Sequence, residues 1–429
     1  MRPATARLAG AKIGSLFPPQ IMEPCHGTPA VCYAGAMPRF EPFSGLRYAP
    51  GLDLSQLICP PYDVVSPEER EKLAASHPAN AIHVELPVED GESGLDRYAN
   101  AASLLDRWRA DGSLVLDEAP AFYLLRMTHP DGRSTRGVIG ALGCEPPGGD
   151  VLPHEETIPK DKSDRLDLLR ACRANLSPIW GLSLASGLAE LFDAEGPAPA
   201  TALDGSGVLH ELWPITSRER VGAIASAVAD SPVVIADGHH RYETALAYQA
   251  EQRSAGAGAG GHDLVMALVV ELSADELSVR AIHRTLHGVP ADFDLLGAFE
   301  EVFEATPLPG GLPARMPEVP KELVLVTTTG AWSLAPRAAA LEEARSDLDS
   351  SVVALAAAGI PGASTRHHHT PDEALAELRA GRADAAVLLR PVTVDQIAAW
   401  AHERRRMPPK STYFHPKPAT GLVFRLLGD

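Results

Sequence analysis

Three stretches of the chain gather residues able to do chemistry. The most pointed is Asp237-Gly238-His239-His240-Arg241, set between Val233-Val234-Ile235-Ala236 and the run Tyr242 to Gln252. Four apolar residues ending at Ala236 read as a buried strand. Residues 242–252 read as a helix packed through Ala245, Leu246 and Tyr248. Gly238 permits a tight turn and a close approach of a ligand to the backbone. Amides that begin a helix have no intrahelical acceptor and favour an anion. His239, His240 and Arg241 add donors, and Asp237 is suited to hold a divalent cation or a hydroxyl. The plainer alternative is a helix with Asp237 as N-cap and histidines on its surface.

The second stretch runs from His154 to Arg165 and offers Glu155, Glu156, Lys160, Asp161, Lys162, Asp164 and Arg165 around Thr157 and Pro159. A loop of such mixed charge is commonly only solvated. It leads into a helix through Leu166, Leu168 and Leu169, which makes it a second loop before a helix, able to face the first. The third stretch is Met407 to Lys417, where Lys410, Ser411 and Thr412 lie among prolines and suit an acidic ligand. The glycines of a phosphate-binding Walker loop are missing before Lys410. His367-His368-His369 precedes a helix cap at Thr370 and reads as a loop, while His283-Arg284 has a route to the same cleft. His239 and Glu243 have the spacing of two zinc ligands, but no H-E-x-x-H pattern supports them. There is no G-x-S-x-G elbow, and none of the five cysteines has an activating neighbourhood.

These residues need a scaffold, and 429 residues, 45% of them apolar, are ample for one. The 38 Lys and Arg against 56 Asp and Glu leave a net charge of −18, which argues against a sequence-independent nucleic-acid binder. No apolar run is long enough to span a membrane, and no signal peptide is visible. An odd number of cysteines without C-x-x-C spacing makes no disulfide framework, so the expected location is the cytoplasm. Residues 1–36, rich in Ala, Pro and Gly, read as a disordered or over-called extension. Residues 37–305 read as the core of the protein, and 306–429, after a Pro- and Gly-rich connection, as a C-terminal subdomain.

Along the core, Ser66-Pro67-Glu68-Glu69 starts a helix that ends before Pro78. Ala81 to Leu86 alternates like a strand, and a helix over Tyr98 to Ala110 buries Leu104, Leu105 and Trp108. Phe122 to Met127 and Val138 to Leu142 form a strand pair across His129-Pro130-Asp131-Gly132. Leu264 to Glu271 is another strand. Thr370-Pro371-Asp372-Glu373 opens a helix stopped by Gly381. The expected fold is α+β, a mixed sheet with flanking helices and the three stretches brought to one cleft.

From Met37 onward the chain resembles the domain-of-unknown-function-1015 family of bacteria and archaea. The resemblance rests on Pro60-Pro61-Tyr62-Asp63-Val64-Val65-Ser66, Leu152-Pro153-His154-Glu155, Asp164-Arg165-Leu166, Asn175-Leu176-Ser177-Pro178, Ala236 to Thr244, and Met407 to Lys417 with Thr420-Gly421-Leu422. His415, where an aromatic is usual, and His367 to His369 depart from the pattern. The Asp237 to Arg241 element is similar to the nucleotide- and phosphate-handling turn of the ParB and sulfiredoxin-like superfamily, which includes free-serine kinases. That likeness implies a nucleotide-dependent phosphotransferase acting on a small hydroxylated metabolite, serine being the favoured acceptor. A DNA-partitioning role is not implied, since no helix-turn-helix or basic region is present.

In that reading Asp237 binds Mg²⁺ or orients the acceptor hydroxyl. The amides of Gly238 and His239, with His240 and Arg241, hold phosphate oxygens. Glu155 is the base, His154 a proton or phosphate partner, and Lys410 a clamp on the nucleotide, with Arg165, Ser411 and Thr412 beside it. The nucleotide is ATP, ADP or CTP. The partner is a small molecule, with neither nucleic acid nor membrane involved, and a homo-oligomer is compatible. Two alternatives stand beside it: a nucleotide sensor without turnover, and a metal-dependent phosphoester hydrolase.

Overall fold

The computed structural model describes residues 38–428 apart from 92–93, 147, 156–162, 195 and 309–320. The reading of residues 1–36 and of Glu156, Thr157, Pro159, Lys160, Asp161 and Lys162 lies outside the described residues. The fold is mixed α+β. Its largest sheet runs Val151–Pro153, Val233–Asp237, Ile179–Ser183, Leu264–Glu271, Ser134–Gly143, Phe122–Thr128, Leu209–Ile215 and Ala200–Leu203, with Phe40–Glu41 also paired to Ser134–Gly143. Its central strands are apolar on both faces because both are covered. Met266, Leu268 and Val270 face one buried cluster, and Val265, Ala267 and Val269 face the other.

One pairing sets the geometry of the site. Val151–Pro153 and Val233–Asp237 are parallel, with Ile235 opposite Pro153. Their C-terminal ends therefore lie side by side and deliver His154 and Asp237 to the same edge of the sheet. The helices that follow, Ser163–Cys172 and His239–Ser254, pack on each other through Leu169, Tyr248 and Leu427.

A second, antiparallel sheet runs Phe303–Pro307, Ala331–Pro336, Leu323–Thr327, Ala385–Leu388, His283–His287 and Ser364–His368. Phe299, Val352 and Val353 cover one face, and Ala374, Leu375 and Leu378 the other. The structure thus places the change of sheet earlier than residue 306. The Pro- and Gly-rich stretch lies between Phe303–Pro307 and Leu323–Thr327, two strands of this one sheet. The last residues return to earlier parts of the chain. Tyr413–Phe414 pairs with Val279–Arg280, Thr420 bridges to Cys59, and Phe424–Leu426 joins a four-stranded sheet between Gly45–Tyr48 and Ala174–Asn175.

The caps at Ser66 and Thr370 form as expected, each side-chain oxygen accepting the amide three residues on. The helix Arg97–Ala110 buries Leu104, Leu105 and Trp108, and the pair Phe122–Thr128 and Ser134–Gly143 turns through Gly132. The segment expected as a strand at 81–86 is instead the short helix Ile82–Glu85. Asn80 Oδ1 accepts the Ile82 amide at 2.8 Å and starts the turn. Glu85, which with His83 made the pattern alternate, is buried and accepts the Tyr62 amide and the Ser177 hydroxyl. Among the described residues no helix is long and apolar enough to cross a membrane.

Candidate functional site

The strand ending at Asp237 turns into its helix earlier than the sequence indicates: the helix begins at His239, not Tyr242. Gly238 is the N-cap, in the left-handed region at φ 88°. A Cβ there would lie 3.1 Å from the Arg241 guanidinium and from Ile179, so glycine is required both by conformation and by space. Asp237 is therefore not the cap, and no side chain caps this helix. The first intrahelical bond runs from the Tyr242 amide to the Gly238 carbonyl at 3.0 Å. The amides of His239, His240 and Arg241 precede it, which leaves the positive end of the helix dipole at the sheet edge.

Asp237 organises the charges around that end. Its Oδ2 accepts from Arg241 Nη2 at 2.7 Å, and its Oδ1 lies 2.7 Å from Lys417 Nζ. Lys417 Nζ also donates to Asp63 Oδ2 at 2.7 Å. Arg241 Nη1 donates to the Pro178 carbonyl. Burial alone would raise the Asp237 carboxyl, but Lys417 and Arg241 outweigh it and hold the pKa below the usual value. Burial likewise opposes the charge on Lys417, and Asp237 with Asp63 overcomes it, pushing the ammonium above its ordinary value.

Beside this array His154 is buried at 5% exposure. Its Nδ1 lies 2.6 Å from the Ile235 carbonyl, which can only accept, so Nδ1 carries the proton. Its Nε2 then accepts the Thr412 hydroxyl at 2.8 Å. Burial pushes His154 down to about 4, against the pull of the Ile235 carbonyl and Asp237. His239, 3.3 Å from His154 Nδ1, is lowered well below its ordinary value, by burial first and then by the adjacent histidines and arginines. Both imidazoles are neutral at neutral pH.

Glu155 fixes the loop that carries Lys410. Its Oε1 accepts the Lys410 amide at 2.5 Å and its Oε2 the Ser411 amide at 3.3 Å. Burial raises its pKa although those amides pull the other way. Lys410 takes the left-handed conformation, φ 61°, and its carbonyl accepts from Arg284 Nη2 at 2.6 Å. Ser411 turns away: its hydroxyl is buried, donating to the Pro408 carbonyl and meeting Ser350.

His154, Glu155, Asp237, Gly238, His239, His240, Arg241, Lys410 and Thr412 line one cleft of about 1040 Å³, measured out to its open mouth. Two residues grouped with them by sequence do not line it. Ser411 supports the loop from behind. Arg165 lines a neighbouring open pocket that shares Tyr62 and Arg241 with the cleft. It stacks on the Tyr62 ring at 4.5 Å and donates to the Glu85 carbonyl.

The cleft also takes in Tyr62, Asp63, His369, Tyr413 and Lys417, which the residue-level reading did not single out as site residues. The signal for Asp63 and Lys417 was present in Pro60-Pro61-Tyr62-Asp63 and His415-Pro416-Lys417, where a charged residue follows a rigid segment. His367 and His368 belong to the strand Ser364–His368 rather than a loop, and the His369 ring packs against Tyr413, tilted by 38°, with ring centroids 4.4 Å apart.

A resident Mg²⁺ on Asp237 does not fit these residues as they stand. Both carboxylate oxygens are bonded to cations, and among the described residues no group of three His, Cys, Asp or Glu is arranged to hold a metal.

Solved structures that align with the chain share little sequence with it. SbnI from Staphylococcus aureus, with a C-terminal truncation, is 12% identical over 67% of this chain and 87% of its own, with a TM-score of 0.36. A free serine kinase in complex with AMP is 15% identical over 62% and 83%, with a TM-score of 0.32. A conserved hypothetical protein from Pyrococcus furiosus is 13% identical over 63% and 88%, also at 0.32. No curated protein matches the chain. The family model described as a protein of unknown function, DUF1015, matches residues 40–353, most of the chain, and the protein belongs to that family.

Proposed function

We propose that the cleft binds a nucleoside phosphate and transfers a phosphoryl group between it and the hydroxyl of a small metabolite, serine being the favoured acceptor, in the cytoplasm. The observation that supports this most is the uncapped start of the helix at His239, with Arg241, His240 and Lys410 on the same cleft. Phosphoryl transfer is mostly positioning and charge neutralisation, and these groups supply both. The acceptor oxygen forms a bond to phosphorus as the bond to the leaving oxygen breaks, and the hydroxyl proton passes to a base.

Glu155 is that base in this reading. Its raised pKa suits it, and a carboxylate offers about four acceptor sites, of which the loop amides take two. His154 and Thr412 hold the wall between base and phosphate. Any Mg²⁺ enters with the phosphates of ATP, ADP or CTP as part of the substrate, because Asp237 is committed to Lys417 and Arg241. Asp237 then serves to orient those two cations.

Phosphorus NMR of the full chain with serine and each nucleotide tests the reading. It requires a phosphorylated acceptor to appear, and an unchanged spectrum with every nucleotide and acceptor tried contradicts turnover. One observation favours a second reading, a nucleotide sensor without turnover. Glu155 already spends both oxygens on the Lys410 and Ser411 amides, a bond pattern that a purely structural carboxylate also shows.

A further inference from the structure

Lys417 holds two carboxylates of unequal standing. Asp237 ends a buried strand and is bonded to Arg241 as well, so it cannot leave without stranding that guanidinium. Asp63 sits in the short turn Tyr62–Val64 at the rim of the cleft. Its side chain is 32% exposed, against 20% for Asp237 and 15% for Glu155. Lys417 itself is only 11% exposed and lines the cleft. The four groups Asp63, Lys417, Asp237 and Arg241 sum to zero charge, so neither Lys417 nor Arg241 is free to neutralise an arriving phosphate until one carboxylate moves, and Lys410 stands outside this set.

We infer that Asp63 occupies, on Lys417, the place that a ligand's phosphate oxygen takes. A phosphate-bearing ligand exchanges for the Asp63 carboxylate, which swings into water, and Lys417 with Arg241 becomes a pair of cations held in position by Asp237. Lys417 is thus a phosphate-contacting residue of the site, and Asp63 is its built-in competitor. The inference rests on the proposal that the cleft takes phosphates, and it goes beyond it by assigning these two residues opposite effects on affinity. A merely structural salt bridge gives both of them the same sign.

The test is calorimetric titration of the full chain with pyrophosphate and with ADP, in the wild type, Lys417→Gln and Asp63→Asn. Loss of a charge-assisted contact in Lys417→Gln weakens binding of both ligands by about ten- to a hundredfold. Removal of the competing charge in Asp63→Asn tightens it by about two- to fivefold, the worth of a partly exposed ion pair. Weaker or unchanged binding in Asp63→Asn overturns the inference and makes the pair structural. If Lys417→Gln does not fold, Lys417→Arg replaces it, and the sign in Asp63→Asn still decides. Wild-type protein that binds pyrophosphate but not ADP, with the same opposite shifts, sustains this inference while overturning the nucleotide reading. Binding of neither ligand overturns both.

Discussion

His154 Nε2 and the Thr412 hydroxyl meet at 2.8 Å, a contact between residues 258 positions apart in the chain. It ties the end of a sheet strand to the returning C-terminal segment. The Met407 amide, donating to the His154 carbonyl at 2.7 Å, closes the same junction through the backbone. The wall of the cleft therefore exists only when that segment has docked. Thr412→Val removes the donor and leaves a buried ring nitrogen unpaired, at a cost of about 1–3 kcal/mol. Chemical denaturation should show that loss, and Thr412→Ser should recover most of it. Equal stability in Thr412→Val would mean that the contact contributes nothing.

The buried imidazoles make the protein acid-labile in a defined window. His154 and His283 are both pushed down to about 4, in each case by burial first. A histidine whose folded pKa lies below its unfolded value of 6.5 binds fewer protons in the native state. Its contribution is complete above 6.5 and is lost as pH falls from there towards 4. Each such group is worth on the order of 3 kcal/mol across that interval. Melting temperature should fall steadily between pH 6.5 and 4, whereas a flat profile would show that these rings titrate normally.

Gly238→Ala tests the turn. The left-handed conformation costs a residue with a Cβ about 1–2 kcal/mol, and the added carbon also presses on Arg241 and Ile179 at 3.1 Å. Stability should drop by at least that amount, and affinity for any phosphate ligand should drop with it because Arg241 is displaced. A variant as stable as the wild type would show that the turn relaxes.

Glu155→Gln separates enzyme from sensor. The amide oxygen still accepts one of the two loop amides, so ligand binding should persist within a few fold. In an enzyme kcat falls about 10²- to 10⁴-fold with the loss of the base. The wild-type kcat should also show an acidic limb displaced above the ordinary glutamate range, following the raised pKa of Glu155. Binding retained with no turnover in either protein would favour the sensor.

What the sequence disclosed about this site followed from local chemistry. The strand at Val233, the glycine turn and the donors after it could be read because burial, φ and helix polarity act over a few residues. The helix boundary was misplaced because His239, His240 and Arg241 are polar on a first turn that faces a cleft, and polarity there looks like a loop. Glu85 misled for the converse reason. A buried carboxylate with two donors imitates a solvent-facing position, and a helix was taken for a strand. The pairing of Lys417 with Asp63 was hidden by distance, since nothing local states that a residue 354 positions away will be its ion-pair partner. That the strands on either side of the Pro- and Gly-rich stretch share one sheet was not legible, because such a stretch marks a connection without saying what it connects.

We propose the cleft as a nucleoside-phosphate site on the strength of the uncapped helix start and Arg241. Titration of the full chain with ATP, ADP, CTP and GTP, with and without Mg²⁺, tests it most directly when repeated on Arg241→Ala. Arg241 also holds Asp237 and the Pro178 carbonyl, so the variant must be measured well below its melting temperature. Saturable binding of one nucleotide is expected in the wild type, with stabilisation of about 2.7 kcal/mol at a hundredfold excess over the dissociation constant, and its loss in Arg241→Ala. Binding of equal strength in the folded variant would contradict it.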